Sequence, residues 1–381
     1  MKKVLICASR VSHIRNFHLP YIEYFTNKGY EVDIAVEGNT DNPMIHRCYD
    51  VAFTKNPLSP DNIKTIFKLR RIIKDGGYDI VYSNSTLAGA ALKLAVMLVG
   101  KPKPYFVHIS HGYMFGEKGG IKSKIYLVAE KLTKSPVDAL AVMNREDMEL
   151  ARKYKLGKNL HYIHGMGLVT EAFPEISQRE RLEFRKKAGA DENTKVMLCI
   201  GEFSKRKNQT MLIEALEIIS ARHKNVMLMF AGEGKTLEEC RKLTEKYELS
   251  AQIRFLGQVS NVNLLYRSCD ILVSASKMEG LPFNVMEAMY CGLPVAASDI
   301  KGHSDLIVND ENGLLFENTA KSAAQALDRL LSDESLYERL KSNAGLDSMY
   351  YIEKVKNEVL GILDREYEPL VYEEYREERS T

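Results

Sequence analysis

Glu279-Gly-Leu-Pro-Phe-Asn-Val-Met-Glu287, continued by Ala-Met-Tyr-Cys-Gly-Leu-Pro294, decides how this chain is read. Two carboxylates bracket a Gly280-Leu281-Pro282 turn and the first turns of a helix opened by Phe283 and Asn284. A carboxylate accepts hydrogen bonds from paired sugar hydroxyls. A turn feeding a helix N-terminus aims backbone N–H groups, and the positive end of the helix dipole, at whatever lies in front. The segment therefore offers two hydroxyl-binding carboxylates with an anion cradle between them. That suits a sugar nucleotide: sugar, diphosphate, ribose. Two Glu at this spacing often arise by chance on a solvated surface. Gly280, Pro282, Gly292 and Pro294, in register between two apparent strands, make the whole string far more specific.

Outward from this motif the pattern is strand–helix throughout, which predicts parallel α/β sheets. Strand-like runs fall at 4–9, 31–37, 51–54, 79–83, 105–110, 139–143 and 161–164, with helical patterns at 16–28, 62–74, 86–99 and 145–155. A second series has strands at 196–201, 226–231, 253–256, 271–274, 294–297 and 313–316. Helices at about 208–222, 235–247, 261–268, 283–291 and 320–331 separate them. Two such runs imply two Rossmann-like domains, 1–170 and 171–349, because Gly165, Gly167 and Pro174 break the periodicity between them. Sites in open α/β sheets form beyond the C-terminal strand ends, so two such domains facing each other would make a cleft. Residues 350–367 read as a helix after the second sheet. Residues 368–381 are charged, poorly apolar and expected to be disordered.

Three more strand ends carry chemistry. Gly201-Glu-Phe-Ser-Lys-Arg-Lys-Asn208 puts a Gly and a basic loop before a helix, a phosphate-facing arrangement. Phe230-Ala-Gly232-Glu-Gly234 and Phe255-Leu-Gly-Gln258-Val259 are each weak alone, since a Gly after a parallel strand is usually turn chemistry. In the first half, His108-Ile-Ser-His111-Gly112 closes a strand, and Ser12-His-Ile-Arg-Asn16 follows the first one.

Taken together, these motifs resemble the retaining glycosyltransferases of family 4, which have the two-domain GT-B fold. The resemblance is strong in the second half and loose in the first, and the overall character is that of members building bacterial capsule and exopolysaccharide. It implies that Glu279 touches the donor sugar and Glu287 holds the ribose hydroxyls. The loops at Gly201, Gly232 and Gly280–Asn284 would approach the donor, with the nucleobase near Gln258 and Val259. Lys207 matches a lysine that neutralises the donor diphosphate. The family's arginine position holds Glu202, which leaves open whether Arg206 or Lys205 supplies the second cation. His111 resembles a strand-end histidine lying against donor sugar and acceptor; its bland alternative is a hydrogen-bonded core histidine. Many relatives carry a Gly-Gly turn after the first strand, and this chain does not. The Ser12–Asn16 backbone would take that role or contact the acceptor. The 350–367 helix would cross back onto the first domain.

Composition fits a globular enzyme: 381 residues, 45% hydrophobic and 27% charged. Cys7, Cys48, Cys199, Cys240, Cys269 and Cys291 are scattered and read as reduced thiols of a cytoplasmic protein. Met1-Lys-Lys leads directly into a strand, so no signal peptide is expected. The apolar run 87–99 is interrupted by Lys93 and is too short to span a bilayer. Charge is uneven: residues 1–170 carry 25 Lys and Arg against 15 Asp and Glu, and the remainder 28 against 36. A basic first half suggests an anionic partner there. Lys64, Lys68 and Arg71 share one helix face, and Lys122, Lys124, Lys131 and Lys134 flank Ile125-Tyr-Leu-Val-Ala129. The expectation is a peripheral protein at the inner, anionic face of the cell membrane, although single faces of this kind are commonly just solvated.

These readings lead to a metal-independent, retaining hexosyltransferase with no cofactor and no nucleic-acid partner. Its donor would be a nucleotide-diphosphate sugar, a UDP-hexose or UDP-N-acetylhexosamine. Its acceptor would be a saccharide, expected to be a lipid-linked intermediate. No Asp-x-Asp triplet or His/carboxylate cluster is evident for Mg²⁺ or Mn²⁺. A sugar-nucleotide epimerase of the same architecture and a non-catalytic sugar-nucleotide binder are the alternatives. A nicotinamide dehydrogenase is disfavoured, since no GxGxxG follows a strand.

Overall fold

The structure, a computed structural model, describes residues 1–54, 59–116 and 120–367. It divides into two compact units: residues 1–167 together with the chain from Ile352 onward, and Leu168–Tyr351. The expected tail, 368–381, lies outside the described residues.

Unit 1 holds β1 (Lys3–Cys7), β2 (Glu31–Val36), β3 (Arg47–Asp50), β4 (Ile80–Ser83), β5 (Tyr105–Ser110), β6 (Ala139–Val142) and β7 (Asn159–Tyr162). They form one parallel sheet in the order β3-β2-β1-β4-β5-β6-β7. Unit 2 holds β8 (Lys195–Ile200), β9 (Val226–Ala231), β10 (Ile253–Phe255), β11 (Ile271–Ser274), β12 (Val295–Ser298) and β13 (Gly313–Phe316). Its parallel order is β10-β9-β8-β11-β12-β13. The sheet order reverses direction once in each unit, at β1/β4 and at β8/β11. Such switch points splay the connecting segments apart and open a crevice at the carboxyl ends of the two strands.

The central strands are buried on both faces, as parallel strands covered by helices must be. Unit 2 packs Met211, Leu212, Leu216, Leu327 and Leu340 against Leu228, Phe230, Ile271 and Val273. In unit 1, Leu69, Leu92, Ala95 and Leu150 cover Leu5, Val81 and Phe106. Five cysteines are buried, Cys48 is half-buried, and all six are free thiols.

Three local expectations are corrected. The strand expected at 51–54 ends at Asp50: Val51 and Phe53 are buried in the core, but the ladder with β2 stops one residue earlier. The single helix expected at 16–28 is two, Val11–Phe17 and Leu19–Asn27, broken at His18 before Pro20. Pro20 falls in the first turn of the second helix, where the N–H it lacks would have had no intrahelical partner. A Glu334–Ser342 helix was missed by the sequence reading; Asp333 caps it, and Leu336, Tyr337 and Leu340 anchor it.

The Ile352–Leu363 helix belongs to unit 1. Val355, Val359, Leu360 and Leu363 are buried there. At its end, Asp364 accepts hydrogen bonds from Lys28 Nζ (2.6 Å) and Tyr24 Oη (2.9 Å). Glu358 engages His164 Nδ1 at 2.6 Å.

Candidate active site

At the switch point of unit 2, the chain leaving β8 and the chain leaving β11 run beside each other and are stitched by backbone. Lys277 N–H donates to Arg206 O (2.8 Å), and Arg206 donates a guanidinium N–H to Met278 O (3.1 Å). Asn208 takes the left-handed conformation at φ 55° and donates to Asn318 Oδ1, and Asn318 donates in turn to Ser276 O. These bonds fix the distance between the basic loop and the first carboxylate of the motif.

Across that fixed gap three charges meet. Lys207 Nζ lies 2.8 Å from Glu279 Oε1, and Arg206 lies 2.8 Å from Glu279 Oε2. Ser276 Oγ donates to Glu279 Oε1 at 2.7 Å. Burial pushes the Glu279 pKa up, but the Lys207 ammonium and Arg206 guanidinium outweigh burial and hold it below the usual carboxylate value. Of the two candidates for the second cation, Arg206 is the one placed on this carboxylate. Glu202, at the family's arginine position, is exposed.

Glu287, on the Phe283–Tyr290 helix, sits differently. Tyr266 Oη donates to its Oε2 at 2.6 Å. Burial raises its pKa, against the opposing pull of the Tyr266 bond and the Lys207 charge. One motif therefore carries one carboxylate held ionised by cations and one whose charge burial makes costly despite the Tyr266 bond. Leu281 and Pro282 are buried under this turn, while Phe283 and Asn284 are half-buried.

The glycines hold the loops close. At Gly232 (φ 134°) an added Cβ would fall 2.2 Å from Gly201 O, and at Gly302 (φ 82°) one would fall 2.7 Å from Gly280 O. Gly232 N–H donates to Gly257 O, which brings the segment leading to exposed Gln258 and half-buried Val259 beside the Gly232 loop. Among the described residues no hydrogen bond or ion pair joins Gln258 or Val259 directly to the two carboxylates.

Sequence reasoning missed Tyr266, Ser276, Asn318 and His303. His303 is buried, with Nδ1–H donating to Ser298 O (2.7 Å) and Nε2 accepting from Ser274 Oγ (3.2 Å). Burial lowers its pKa to about 4, so the ring is neutral near pH 7 and its tautomer is set by these bonds. Its one signal in the sequence is Gly302-His303 in the loop after β12.

Unit 1 has its own polar pole at the ends of β1, β4 and β5. His111 follows β5, is half-buried, and leaves its buried Nε2 without a partner among the described residues. Burial, then the neighbouring His13, pushes its pKa down to about 3. The two rings stand 5.7 Å apart. His18 meets Asn84 Nδ2 through Nε2 at 3.1 Å. His108, by contrast, is a core residue bound to Ser83 Oγ. The Ser12–Asn16 segment is not a loop: it lies inside the Val11–Phe17 helix, with Ser12 and His13 in the first turn.

A His/carboxylate group does exist in unit 1, contrary to the sequence reading. Glu31 and Asp33 alternate onto one face of β2, and His46, just ahead of β3, lies 3.2 and 3.0 Å from them. Lys3 Nζ (2.9 Å) and Tyr78 Oη (2.5 Å) already answer the two carboxylates, and the group sits toward the amino ends of the strands. Protein partners satisfy it, away from the switch point.

Comparison with known proteins identifies the family and the fold. Residues 21–166 match the model described as Glycosyltransferase Family 4, and residues 180–346 match Glycosyl transferases group 1. The Bacillus subtilis (strain 168) protein EpsD, classed among the glycosyltransferases, is 31% identical over 342 residues, covering 89% of this chain and 90% of EpsD. The chain belongs to the family 4 glycosyltransferases of GT-B fold. An Escherichia coli relative, UDP-Gal:alpha-D-GlcNAc-diphosphoundecaprenol alpha-1,3-galactosyltransferase, is 26% identical, over 86% of each chain. In fold, the glycosyltransferase resembles Anabaena HepE crystallised with UDP and glucose. The TM-score is 0.76 at 18% identity, over 96% of this chain and 100% of HepE. WaaG, a glycosyltransferase involved in lipopolysaccharide biosynthesis, gives 0.74 at 16% identity, over 95% of this chain and 100% of WaaG.

The close approach at Gly232 makes a stability test. Gly232→Ala introduces a Cβ against backbone at a φ that L-residues rarely adopt, and should cost about 2–4 kcal/mol. Thermal unfolding followed by circular dichroism should fall by about 5–10 °C. An unchanged melting temperature would contradict the backbone packing described.

Proposed function

We propose that the enzyme transfers a hexose or N-acetylhexosamine, with retention of configuration, from a UDP-sugar to a lipid-linked saccharide of capsule or exopolysaccharide synthesis. The observation that carries this reading is the meeting of Lys207 and Arg206 on Glu279 at the switch point of unit 2. Support comes from the E. coli relative, named for a UDP-Gal donor and a diphosphoundecaprenol acceptor, and from HepE, crystallised with UDP and glucose. A Campylobacter jejuni relative is likewise named for an undecaprenol-diphosphate acceptor.

In the mechanism, the bond from the sugar's anomeric carbon to the β-phosphate oxygen breaks, and negative charge grows on the departing diphosphate. Lys207, Arg206 and the positive end of the Phe283–Tyr290 helix meet that charge, which is the main electrostatic task of the step. Glu287 receives the ribose hydroxyls, and Glu279 orients the sugar. The transition state is oxocarbenium-like. The acceptor oxygen attacks from the face the phosphate leaves and gives its proton to a phosphate oxygen. His111 is assigned to the transferred sugar; with a pKa near 3 it is neutral and serves as a hydrogen-bonding group, not a general acid. The cations already present make the reaction independent of a divalent metal. The basic first half is assigned to an anionic membrane surface, where the lipid-linked acceptor is anchored.

Glu287→Ala should weaken binding of free nucleoside diphosphate by about 10- to 100-fold, the loss of a hydrogen-bonded charged group. Calorimetric titration checks it. Unchanged affinity with collapsed turnover would contradict the ribose role.

Lys207→Ala should lower turnover by about a hundredfold or more, because it removes a charge from where the leaving group becomes anionic. Arg206→Ala should also slow the enzyme, whereas Lys205→Ala should not. The reverse pattern would assign the second cation to Lys205. Strong inhibition of the wild type by EDTA in the same assay would overturn metal independence.

A further inference from the structure

The Ile121–Thr133 helix of unit 1 buries none of its residues. Ile121, Ile125, Val128 and Leu132 are 79%, 62%, 53% and 71% exposed. At 100° per residue these four fall within an arc of about 60°. The opposite side carries the attachments. Ser123 bonds Gly116, Leu127 packs on the core, and Glu130 pairs with Lys93, which is buried in the neighbouring Thr86–Leu98 helix. Lys134 Nζ donates to Lys155 O, and Lys131 lies 4.5 Å over the Tyr154 ring. Lys131 and Lys134 therefore serve the attachment. Exposed Lys122 and Lys124 flank the apolar stripe on its two sides.

The stripe is not isolated. The Thr86–Leu98 helix packs against both the Ile121–Thr133 helix and the Pro60–Gly76 helix. It exposes Leu94, Met97 and Leu98, and the Pro60–Gly76 helix exposes Ile63 and Phe67 beside Lys64, Lys68 and Arg71. Three adjacent helices thus present apolar side chains among basic ones, in the half of the chain with the cationic excess. Among the described residues no helix is long and apolar enough to cross a membrane.

We infer that the Ile121–Thr133 helix lies in the plane of a bilayer containing anionic lipid, with Ile121, Ile125, Val128 and Leu132 inserted among the acyl chains and Lys122 and Lys124 on the headgroups. This rests on the membrane-facing role proposed above and adds to it: the contact is an apolar wedge guided by charge. A large apolar face with flanking lysines, fixed by its other side to a folded unit, has the make-up of an interfacial helix. Charge draws it to the surface at long range, and burial of the stripe holds it there.

The chain contains no Trp, so one introduced on the stripe reports alone. The full-length protein is compared as wild type, as Ile125→Trp, as Ile125→Asp/Leu132→Asp, as Lys122→Ser/Lys124→Ser, and as Ile218→Asp, a matched exposed site in unit 2. Sedimentation uses phosphatidylglycerol/phosphatidylcholine vesicles and pure phosphatidylcholine vesicles. The double-Asp variant should bind anionic vesicles at least about tenfold more weakly, the double-Ser variant several-fold more weakly, and Ile218→Asp like the wild type. Fluorescence of Ile125→Trp should shift to the blue on anionic vesicles and be quenched by brominated acyl chains. Nucleoside-diphosphate affinity should stay the same in all variants. If the wild type binds but the double-Asp variant binds equally, or the emission does not move, the helix is not the docking element and the broader membrane reading stands. Binding to neither vesicle at low salt overturns both. Equal binding to neutral vesicles removes the anionic lipid. A wild-type dimer in ultracentrifugation that the double-Asp variant loses would assign the stripe to a second copy of the chain.

Discussion

One carboxylate held between two cations organises the candidate active site. Glu279 leaves β11 on one side of the switch point, and Lys207 and Arg206 leave β8 on the other. Removing one member of such a part-buried cluster leaves the others uncompensated, at a cost of about 3–5 kcal/mol for a fully buried pair. Arg206 is half in solvent, so its share is smaller. The cluster also explains the Asn208–Asn318–Ser276 bonds and the glycine approaches at Gly232 and Gly302, since each fixes a loop whose drift would pull a cation off Glu279. With the protein alone, the two cations are occupied by Glu279. A diphosphate entering this site would have to share them.

The switch points of the two units differ in electrostatic character. Unit 2 concentrates formal charge at its switch point. The corresponding pole of unit 1 has buried His18 and half-buried His13 and His111, with pKa values pushed down by desolvation and each with one ring nitrogen lacking a partner among the described residues. Neutral imidazoles with open hydrogen-bonding atoms suit hydroxyl groups better than phosphates. In the proposed reading the diphosphate is a fixed demand on unit 2, whereas the saccharide acceptor varies, and that division would account for the difference between the two poles.

The strand count and order of elements were legible because strand–helix alternation and Gly-bearing strand ends are local signals. Lys207, Glu279 and Glu287 were legible because they lie in contiguous motifs. Tyr266, Asn318 and His303 were not, since each acts from a different element and reaches the site only through the fold. The Glu31–Asp33–His46 group was missed for a similar reason: β2–β3 pairing, not sequence adjacency, brings His46 to the two carboxylates. The Ser12–Asn16 segment looked like a loop because it follows a strand, and Ile14, buried beneath it, makes it a helix. That Arg206 lies on Glu279 was not legible in the sequence, because adjacent residues in a turn point in different directions.

Titrating the free nucleoside diphosphate into Glu279→Gln reads out whether Glu279 and the diphosphate compete for the same two cations. If Lys207 and Arg206 serve the diphosphate and Glu279 competes for them, removing the competing charge should tighten nucleoside-diphosphate binding several-fold. The same substitution should slow sugar transfer, because the group that orients the sugar is gone. Weaker binding together with slower transfer would mean that Glu279 holds the cations in place for the ligand and does not compete with it.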